Sequence, residues 1–326
     1  MTEASTIQSV FLTGATGFVG RNVVRELLAR GVKPVCLVRD SRKLYRQHPN
    51  VPPERFTTVA GNLSDRSALL EAASQSQAAI HLVGIIIARR LKGQTFHGVH
   101  VQGTKNVVNA VRNAGIRRYV HMSALGSRPD AVSAYHQTKW QAEEYVRSSG
   151  LEWTIFRPSL IHGPEGEFMQ LMKRFVCGLV PPVIPYFGDG SGRLQPVYVK
   201  DVACCLVESL FKKEAVEQVI PLGGPRAYSW IEFYNACRTM IPGAKRWKPL
   251  KSLPVPVAKL AAALSAPPMA LAELVMPSLG LLRFDSGQVT MAQENATCDH
   301  TIAERLFQVR MRDFETELST YADRIR

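Results

Sequence analysis

Two rhythms of apolar and polar positions alternate along the first half of the chain. Short apolar runs of strand length occur at Ser9–Leu12, Pro34–Val38, Thr57–Ala60, Ala78–Val83, Arg118–Met122 and Trp153–Phe156. Such runs, apolar without alternation, suit strands covered on both faces. Between them lie segments of helical spacing. Val19, Val23, Val24, Leu27 and Leu28 share one face of a helix over Val19–Arg30 that Gly31 ends, and helices are likewise expected over Thr104–Asn113 and Ala134–Ser148. Strand and helix in alternation predict an α/β fold, a doubly wound parallel sheet with right-handed crossovers.

Beyond Arg157 the rhythm breaks. Pro158, Pro164, Pro181, Pro182 and Pro185, with Gly188, Gly190 and Gly192, mark loops, and Glu167–Gly178 reads as an amphipathic helix. A helix over Val202–Phe211 and a strand over Gln218–Pro221 return to the sheet, and the chain from Gly223 is mainly helical. The expected layout is therefore a sheet domain of residues 1–163 and 196–222, with a smaller, mostly helical C-terminal lobe of residues 164–195 and 223–326.

Composition sharpens this picture in three places. With 326 residues, 46% hydrophobic and 21% charged, the chain is neither disordered nor a small disulfide scaffold. The net charge of +13 is lopsided: residues 1–163 hold 21 basic and 10 acidic side chains, the remainder 19 and 17. The first half thus expects an anionic partner, but its charges are scattered between sheet elements, so no nucleic acid is expected. The six cysteines form no Cys-x-x-Cys pair, which points to a reduced compartment and no metal. Met1–Gln8 shows no export signal, and Pro254–Leu282, the most apolar stretch, is interrupted by Lys259, Glu273 and prolines, too often for a membrane span. A cytoplasmic location is expected, with peripheral membrane contact left open.

Candidate chemistry begins at Thr13-Gly-Ala-Thr-Gly-Phe-Val-Gly20, where the first strand hands over to a helix. Gly14 permits a tight turn, Gly17 a close backbone approach to a pyrophosphate, and Gly20 close helix–strand packing, while the helix N-terminus offers free N–H groups. A turn whose glycines serve only backbone geometry is the plain alternative. Arg39 follows the second strand directly, with Arg42 and Lys43 behind it, which favours NADP(H) over NAD(H). Asp40 argues the other way if the strand runs one residue further, and a solvated surface loop is the bland reading of this basic run.

Tyr135 and Lys139 lie one helical turn apart after the fifth strand, at the carboxyl edge where ligands of such sheets bind. A lysine near a phenol favours the phenolate and equips tyrosine to exchange a proton with a substrate oxygen. Ser123, at the end of the fifth strand, is placed to orient that oxygen or simply to end the strand. Arg157 and Arg193 are candidates for an anionic substrate group, Arg157 equally for a structural pair. His81, His100, His121, His136 and His162 fall near the cleft at spacings that suit no metal, and are read as satisfied structural groups. The nearly chargeless stretch Val176–Phe187 reads as lobe core, or as a wall for an apolar substrate or partner.

Together with Phe156-Arg-Pro-Ser-Leu-Ile-His-Gly163 and Leu194-Gln-Pro-Val-Tyr-Val-Lys-Asp-Val202, these motifs resemble the extended short-chain dehydrogenases/reductases, a superfamily that includes nucleoside-diphosphate-sugar epimerases. They resemble above all its atypical branch, which contains the Rossmann-fold accessory subunit of mitochondrial complex I and bacterial relatives. The resemblance covers most of residues 9–222. It implies a Rossmann domain that binds NAD(P)H through Gly14, Thr16, Gly17, Phe18, Val19, Gly20, Arg39, Lys43, Asn62, Leu63, Leu82, Val83, Gly84, Tyr135, Lys139, Pro158 and Ile161, with Tyr135, Lys139 and Ser123 catalytic. There are departures: His100-Val-Gln-Gly-Thr104 stands where the tetrad asparagine is usual, Ser123-Ala124 stands where two or more serines are common, so that depending on register the catalytic serine is Ser123 or is lost to Ala124, and Asn62 replaces an aspartate.

Two functions remain open at this stage. One is an NADP(H)-dependent oxidoreductase or isomerase using the Tyr/Lys pair on an unknown, apolar small molecule. The other is a non-catalytic nucleotide-binding subunit or assembly factor with a protein partner in a respiratory or membrane-associated complex.

Overall fold

The computed structural model describes residues 7–89, 93–179, 181–262 and 286–325. Seven parallel strands form the central sheet: β1 (Ser9–Thr13), β2 (Lys33–Val38), β3 (Thr57–Ala60), β4 (Ala78–His81), β5 (Arg118–Met122), β6 (Glu152–Pro158) and, later in the chain, Gln218–Leu222. Their spatial order is β3-β2-β1-β4-β5-β6 followed by Gln218–Leu222. Strand order therefore reverses between β1 and β4, where Leu12 pairs with Cys36 on one side and Ile80 on the other. In a sheet of this kind the crevice at that reversal is where ligands bind.

Helices α1 (Phe18–Ala29), α2 (Ser41–Gln47), α3 (Arg66–Ser74), α4 (Gly103–Asn113) and α5 (Ala134–Arg147) connect these strands. Side-chain caps fix where several of them begin. Asp40 accepts the Arg42 N–H at α2, Asp65 the Ala68 N–H at α3, and Ser133 the His136 N–H at α5. The last cap sets Tyr135 in the first turn of its helix. The turn entering α4, His97–Gln102, is wound wider than an α-helix, a local change of pitch frequent at functional sites.

Past β6 come the two-residue strand β7 (Ile161–His162), helix α6 (Glu167–Cys177), strands β8 (Ile184–Phe187), β9 (Arg193–Leu194) and β10 (Val197–Tyr198), and helix α7 (Val199–Glu208). The seventh sheet strand, Gln218–Leu222, is β11; β12 (Tyr228–Ser229), α8 (Trp230–Met240), β13 (Leu250–Leu253), α9 (Ser286–Met291), α10 (Thr301–Phe307) and α11 (Phe314–Tyr321) complete the described chain. Three two-stranded pairings, β7 with β10, β9 with β12 and β8 with β13, lie outside the main sheet. Of the apolar stretch Pro254–Leu282, residues 254–262 are described, helical from 255 onward; the rest lies outside the described residues.

One apolar core runs from the sheet into the lobe. Val10, Leu12, Val120, Phe156 and Ile220 of the sheet share it with Met169 and Met172 of α6, Phe233 of α8, and Phe307 and Leu318 of α10 and α11. The other face of the sheet packs a separate cluster, Phe11, Leu37, Tyr119 and Ile155, under α3, α4 and α5. The segment after β9 explains how the C-terminal part is seated. Gln195 donates to the Gly224 carbonyl at 2.5 Å and accepts the Cys298 N–H at 2.8 Å, and Asp201 accepts the Arg312 N–H at 2.9 Å with the guanidinium at 3.3 Å. His162 meets the Tyr321 hydroxyl at 2.8 Å.

Candidate functional site

The glycine turn lies at the strand-order reversal. Gly14 has φ +79°, a left-handed conformation that L side chains rarely adopt. A Cβ on Gly20 would stand 2.0 Å from the Gly14 carbonyl oxygen and 2.8 Å from the Ala15 Cα, so only glycine lets α1 come this close to β1. A Cβ on Gly17 would meet Gly14 O alone, at 3.1 Å, and Gly17 faces solvent. No side chain caps α1 and no acidic residue sits in its first turn, so its N–H groups and partial positive charge are free for an anion. These features fit the diphosphate of a dinucleotide. Leu82 and Val83 close the same turn from β4, within 3.4 Å of a Cβ at Gly14. Phe18 packs under Gly163 and Gly166, and the Thr16 carbonyl accepts Gln47 Nε2 at 3.1 Å.

Strand β2 ends at Val38, opposite Ala60, so Arg39 follows it directly and Asp40 does not take the position at the strand end. The Asp40 carboxylate is engaged in capping α2 and faces the Arg42 guanidinium at 3.5 Å. The basic run is a helix start and not the solvated loop of its bland reading. Arg39 is exposed, with no hydrogen bond or ion pair to another described residue, and Lys43 is exposed beside it. At the end of β3, Asn62 uses its Oδ1 to accept the Ser64 N–H at 2.8 Å, and the Leu63 carbonyl accepts Asn106 Nδ2 at 2.8 Å.

At the carboxyl end of β5 the Lys139 ammonium donates to the Met122 carbonyl at 2.9 Å, next to Ser123. Gly84 lies against it: a Cβ there would be 3.0 Å from Lys139 Nζ. Burial lowers Lys139 to about 8, against the pull of Glu143 one turn on. Tyr135 sits half-buried, edge-on to His100 with ring centroids 5.5 Å apart and near Phe96 at 6.1 Å. Burial raises its phenol to about 12. No hydrogen bond joins this phenol to Lys139, whose ammonium is held at a backbone carbonyl. Ser123 is buried with its hydroxyl 3.1 Å from Ser127, a partner the sequence reading did not foresee. Pro158 ends β6, where its carbonyl accepts the Leu125 N–H, and Ile161 begins β7 opposite Val197.

His100 takes a connecting role where the asparagine is usual. The Ile85 N–H donates to its Nε2 at 3.1 Å, which leaves Nδ1 to carry the proton toward Thr138 Oγ1 at 2.9 Å, and that hydroxyl donates to the Ala134 carbonyl at 2.7 Å. The loop after β4 is thereby tied to the helix bearing Tyr135. His81 lies between Thr13 at 2.6 Å and Thr104 at 3.2 Å. His121, 5.4 Å from the His81 ring, does not follow the expectation of a satisfied group: both its nitrogens are buried without a partner, as is the Tyr119 hydroxyl. His136 Nδ1 and His162 Nε2 are also unpartnered. Burial holds His81 at about 3, His100 at about 2 and His162 at about 3, with His121 well below the ordinary imidazole value; Lys139 adds to the first, second and last of these effects.

Of the two arginine candidates, Arg157 takes the structural one of its two readings. Arg157 is committed to Glu143, a fully buried carboxylate, at 2.6 and 2.9 Å, and Arg147 joins the same carboxylate at 2.8 Å. It is the structural pair and not an anion site. Arg193, on β9, donates to the Ala227 carbonyl at 3.1 Å.

Known proteins bear on this arrangement. A family model described as NAD(P)H-binding matches residues 14–174. A ceramide reductase of Caulobacter vibrioides is 32% identical over 238 residues, 72% of this chain and 71% of that protein. The mitochondrial NADH dehydrogenase [ubiquinone] 1 alpha subcomplex subunit 9 of Arabidopsis thaliana is 29% identical over 260 residues, 77% of this chain, and the match spans 61% of that longer relative. Among solved structures, a UDP-glucose 4-epimerase of Thermotoga maritima superposes with a TM-score of 0.71 at 15% identity, covering 96% of this chain and 97% of the other. At that identity the likeness is one of fold.

Proposed function

The chain belongs to the NAD(P)H-binding, atypical extended short-chain dehydrogenases/reductases, and from that membership we propose that it is an NADP(H)-dependent reductase of a carbonyl on an apolar, lipid-like substrate. The observation that carries this reading is the meeting, at one sheet edge, of the glycine turn, the free Arg39 and the Tyr135/Lys139 helix. The apolar substrate class is supported by Ile86 and Val132, which come from the loop after β4 and from the segment leading into α5 and remain 59% and 67% exposed. The name of the ceramide reductase relative points the same way.

A bound nicotinamide nucleotide would supply the hydride. The chain's own residues do the rest. The N–H groups of α1 and the glycine turn hold the diphosphate, and Arg39, with Lys43, holds a 2′-phosphate. Tyr135 hands its proton to the substrate oxygen, a step its high pKa suits, since a phenol at about 12 stays protonated at neutral pH. The paired hydroxyls of Ser123 and Ser127 orient that oxygen, and Lys139, still cationic at pH 7, favours the phenolate left behind once it turns from Met122.

Tyr135→Phe is expected to lower NADPH oxidation by about 100-fold or more while nucleotide affinity stays within about twofold, measured by steady-state assay and fluorescence titration. Full activity in that variant would remove Tyr135 from the mechanism. Arg39→Asp is expected to weaken NADPH binding about tenfold or more and leave NADH binding nearly unchanged; equal loss for both nucleotides would refute the 2′-phosphate role. A second reading, a non-catalytic nucleotide-binding subunit, is favoured by one observation: the Tyr135 hydroxyl has no hydrogen bond to Lys139 or Ser123. It predicts tight NADPH binding with no oxidation by any carbonyl offered.

A further inference from the structure

The segment between β12 and the end of the described helix at 255–262 carries a charge pattern found nowhere else in the lobe. From Phe233 to Ala262 there is no acidic residue, while Arg238, Lys245, Arg246, Lys248, Lys251 and Lys259 are all basic. The same stretch exposes large apolar side chains: Trp247, Val257 and Leu260, with Leu179 from the end of α6, are each between 51% and 67% exposed. They are held on a built surface. The buried Lys248 donates to the Phe175 and Gly178 carbonyls at 2.6 and 3.1 Å, so Leu179 and Trp247 are each one residue from that second bond. β13 then pairs with β8 and leads through Pro254 into the helix bearing Val257 and Leu260, one turn apart.

We propose that this face of the lobe docks on the surface of an anionic lipid bilayer, with Trp247, Leu179, Val257 and Leu260 entering the interfacial layer and Lys245, Arg246, Lys251 and Lys259 meeting the headgroups. An exposed indole next in the chain to a guanidinium, within a segment of exposed aliphatic and basic side chains, is a combination that interfaces of lipid and water select. Each basic group near an anionic leaflet adds attraction, and nothing acidic in the segment opposes it. Nucleic acid would use the same charges, but it offers no apolar phase for three exposed aliphatic side chains. Among the described residues no helix is long and apolar enough to cross a membrane; the contact is one of surface. It stands apart from the proposed reductase activity, since it involves none of the residues of the cleft.

The test is co-sedimentation of the full chain with vesicles of phosphatidylcholine alone and of phosphatidylcholine with about one third phosphatidylglycerol, at low and high salt. Expected is binding to the anionic vesicles, partial release by salt, and protection of the exposed Trp247 from acrylamide quenching, the other three tryptophans being buried or half-buried. Arg246→Glu with Lys251→Glu should weaken vesicle binding by at least about tenfold, and Trp247→Ser with Leu260→Ser should remove what high salt leaves. NADPH affinity and melting temperature should be unchanged in both, which separates a lost surface from a lost fold. No binding to anionic vesicles, unchanged binding by both variants, or protection of Trp247 by duplex DNA but not by vesicles would each overturn the proposal.

Discussion

Lowering the pH from 7 to 5 is expected to unfold this protein or bring it to the edge of unfolding. His81, His100, His121 and His162 are all held neutral by burial, far below the ordinary imidazole value. Their folded-state values are depressed, so the unfolded chain binds protons first as pH falls. The stability tied to their neutrality is whole above about pH 6.5 and shrinks below it. At pH 5 each such histidine removes about 2 kcal/mol, and four remove about 8 kcal/mol, comparable to the whole stability of an ordinary domain. Asp201 works in the opposite direction: burial raises it to about 6, so its protonation favours the folded state and returns about 1 kcal/mol at pH 5. Circular dichroism followed from pH 8 to pH 4 checks the expectation. A flat signal down to pH 4.5 would contradict it. His121→Phe supplies the control, because His121 has no hydrogen bond to lose; the acid midpoint should fall by about 0.4 pH units.

Gly20→Ala carries the second large effect. The added methyl would overlap the Gly14 carbonyl and the Ala15 backbone, and no rotamer relieves a clash with backbone. Helix α1 must then move off β1, with a loss of about 3 kcal/mol in stability and about a hundredfold in NADPH affinity, because the N–H groups that would hold the diphosphate move with it. Gly17→Ala separates the two consequences. Its methyl meets only Gly14 O at 3.1 Å, so the variant should melt near the parent temperature yet bind nucleotide poorly, the methyl standing where a pyrophosphate must approach. Calorimetry and fluorescence titration of the pair read both quantities. If Gly20→Ala melts like the parent protein, the tight β1–α1 contact is not what the structure describes.

Strands flanked by helices were readable from the sequence because their apolar runs are continuous. Thr57–Ala60 and Arg118–Met122 fall on the observed β3 and β5, and helix α5 begins at Ala134 as its pattern requires. The small pairings outside the sheet were not readable. β7, β9, β10 and β12 are two residues long, too short for any periodicity, and their partners are remote in sequence. Helix α2 had a signal, Asp40 ahead of Ser41, which competed with a reading of that carboxylate as a ribose ligand. Around Tyr135, neighbours at helical spacing were legible, but the three-dimensional partners were not. Ser127 follows Ser123 by only four residues and Glu143 lies on the helix just before the strand of Arg157, but which of these side chains turn toward one another is set by how α5 packs on the sheet, which spacing alone does not give. The Gln195 motif was legible as a family mark, and its work, bridging Gly224 to Cys298, became visible only once the C-terminal part was in view.

The continuous core beneath β6 and β11 limits how the molecule can be divided. Residues 14–174 match a nucleotide-binding family, yet Phe156 packs on Phe307, with ring centroids 5.8 Å apart, and shares one core with Leu318, both supplied more than a hundred positions later. A gene fragment ending after β11 would leave that side of the sheet wet, and a C-terminal segment transplanted from a relative would have to match the sheet's side chains one by one. Selection can therefore alter the C-terminal part of this protein more readily by substitution and loop exchange than by wholesale replacement.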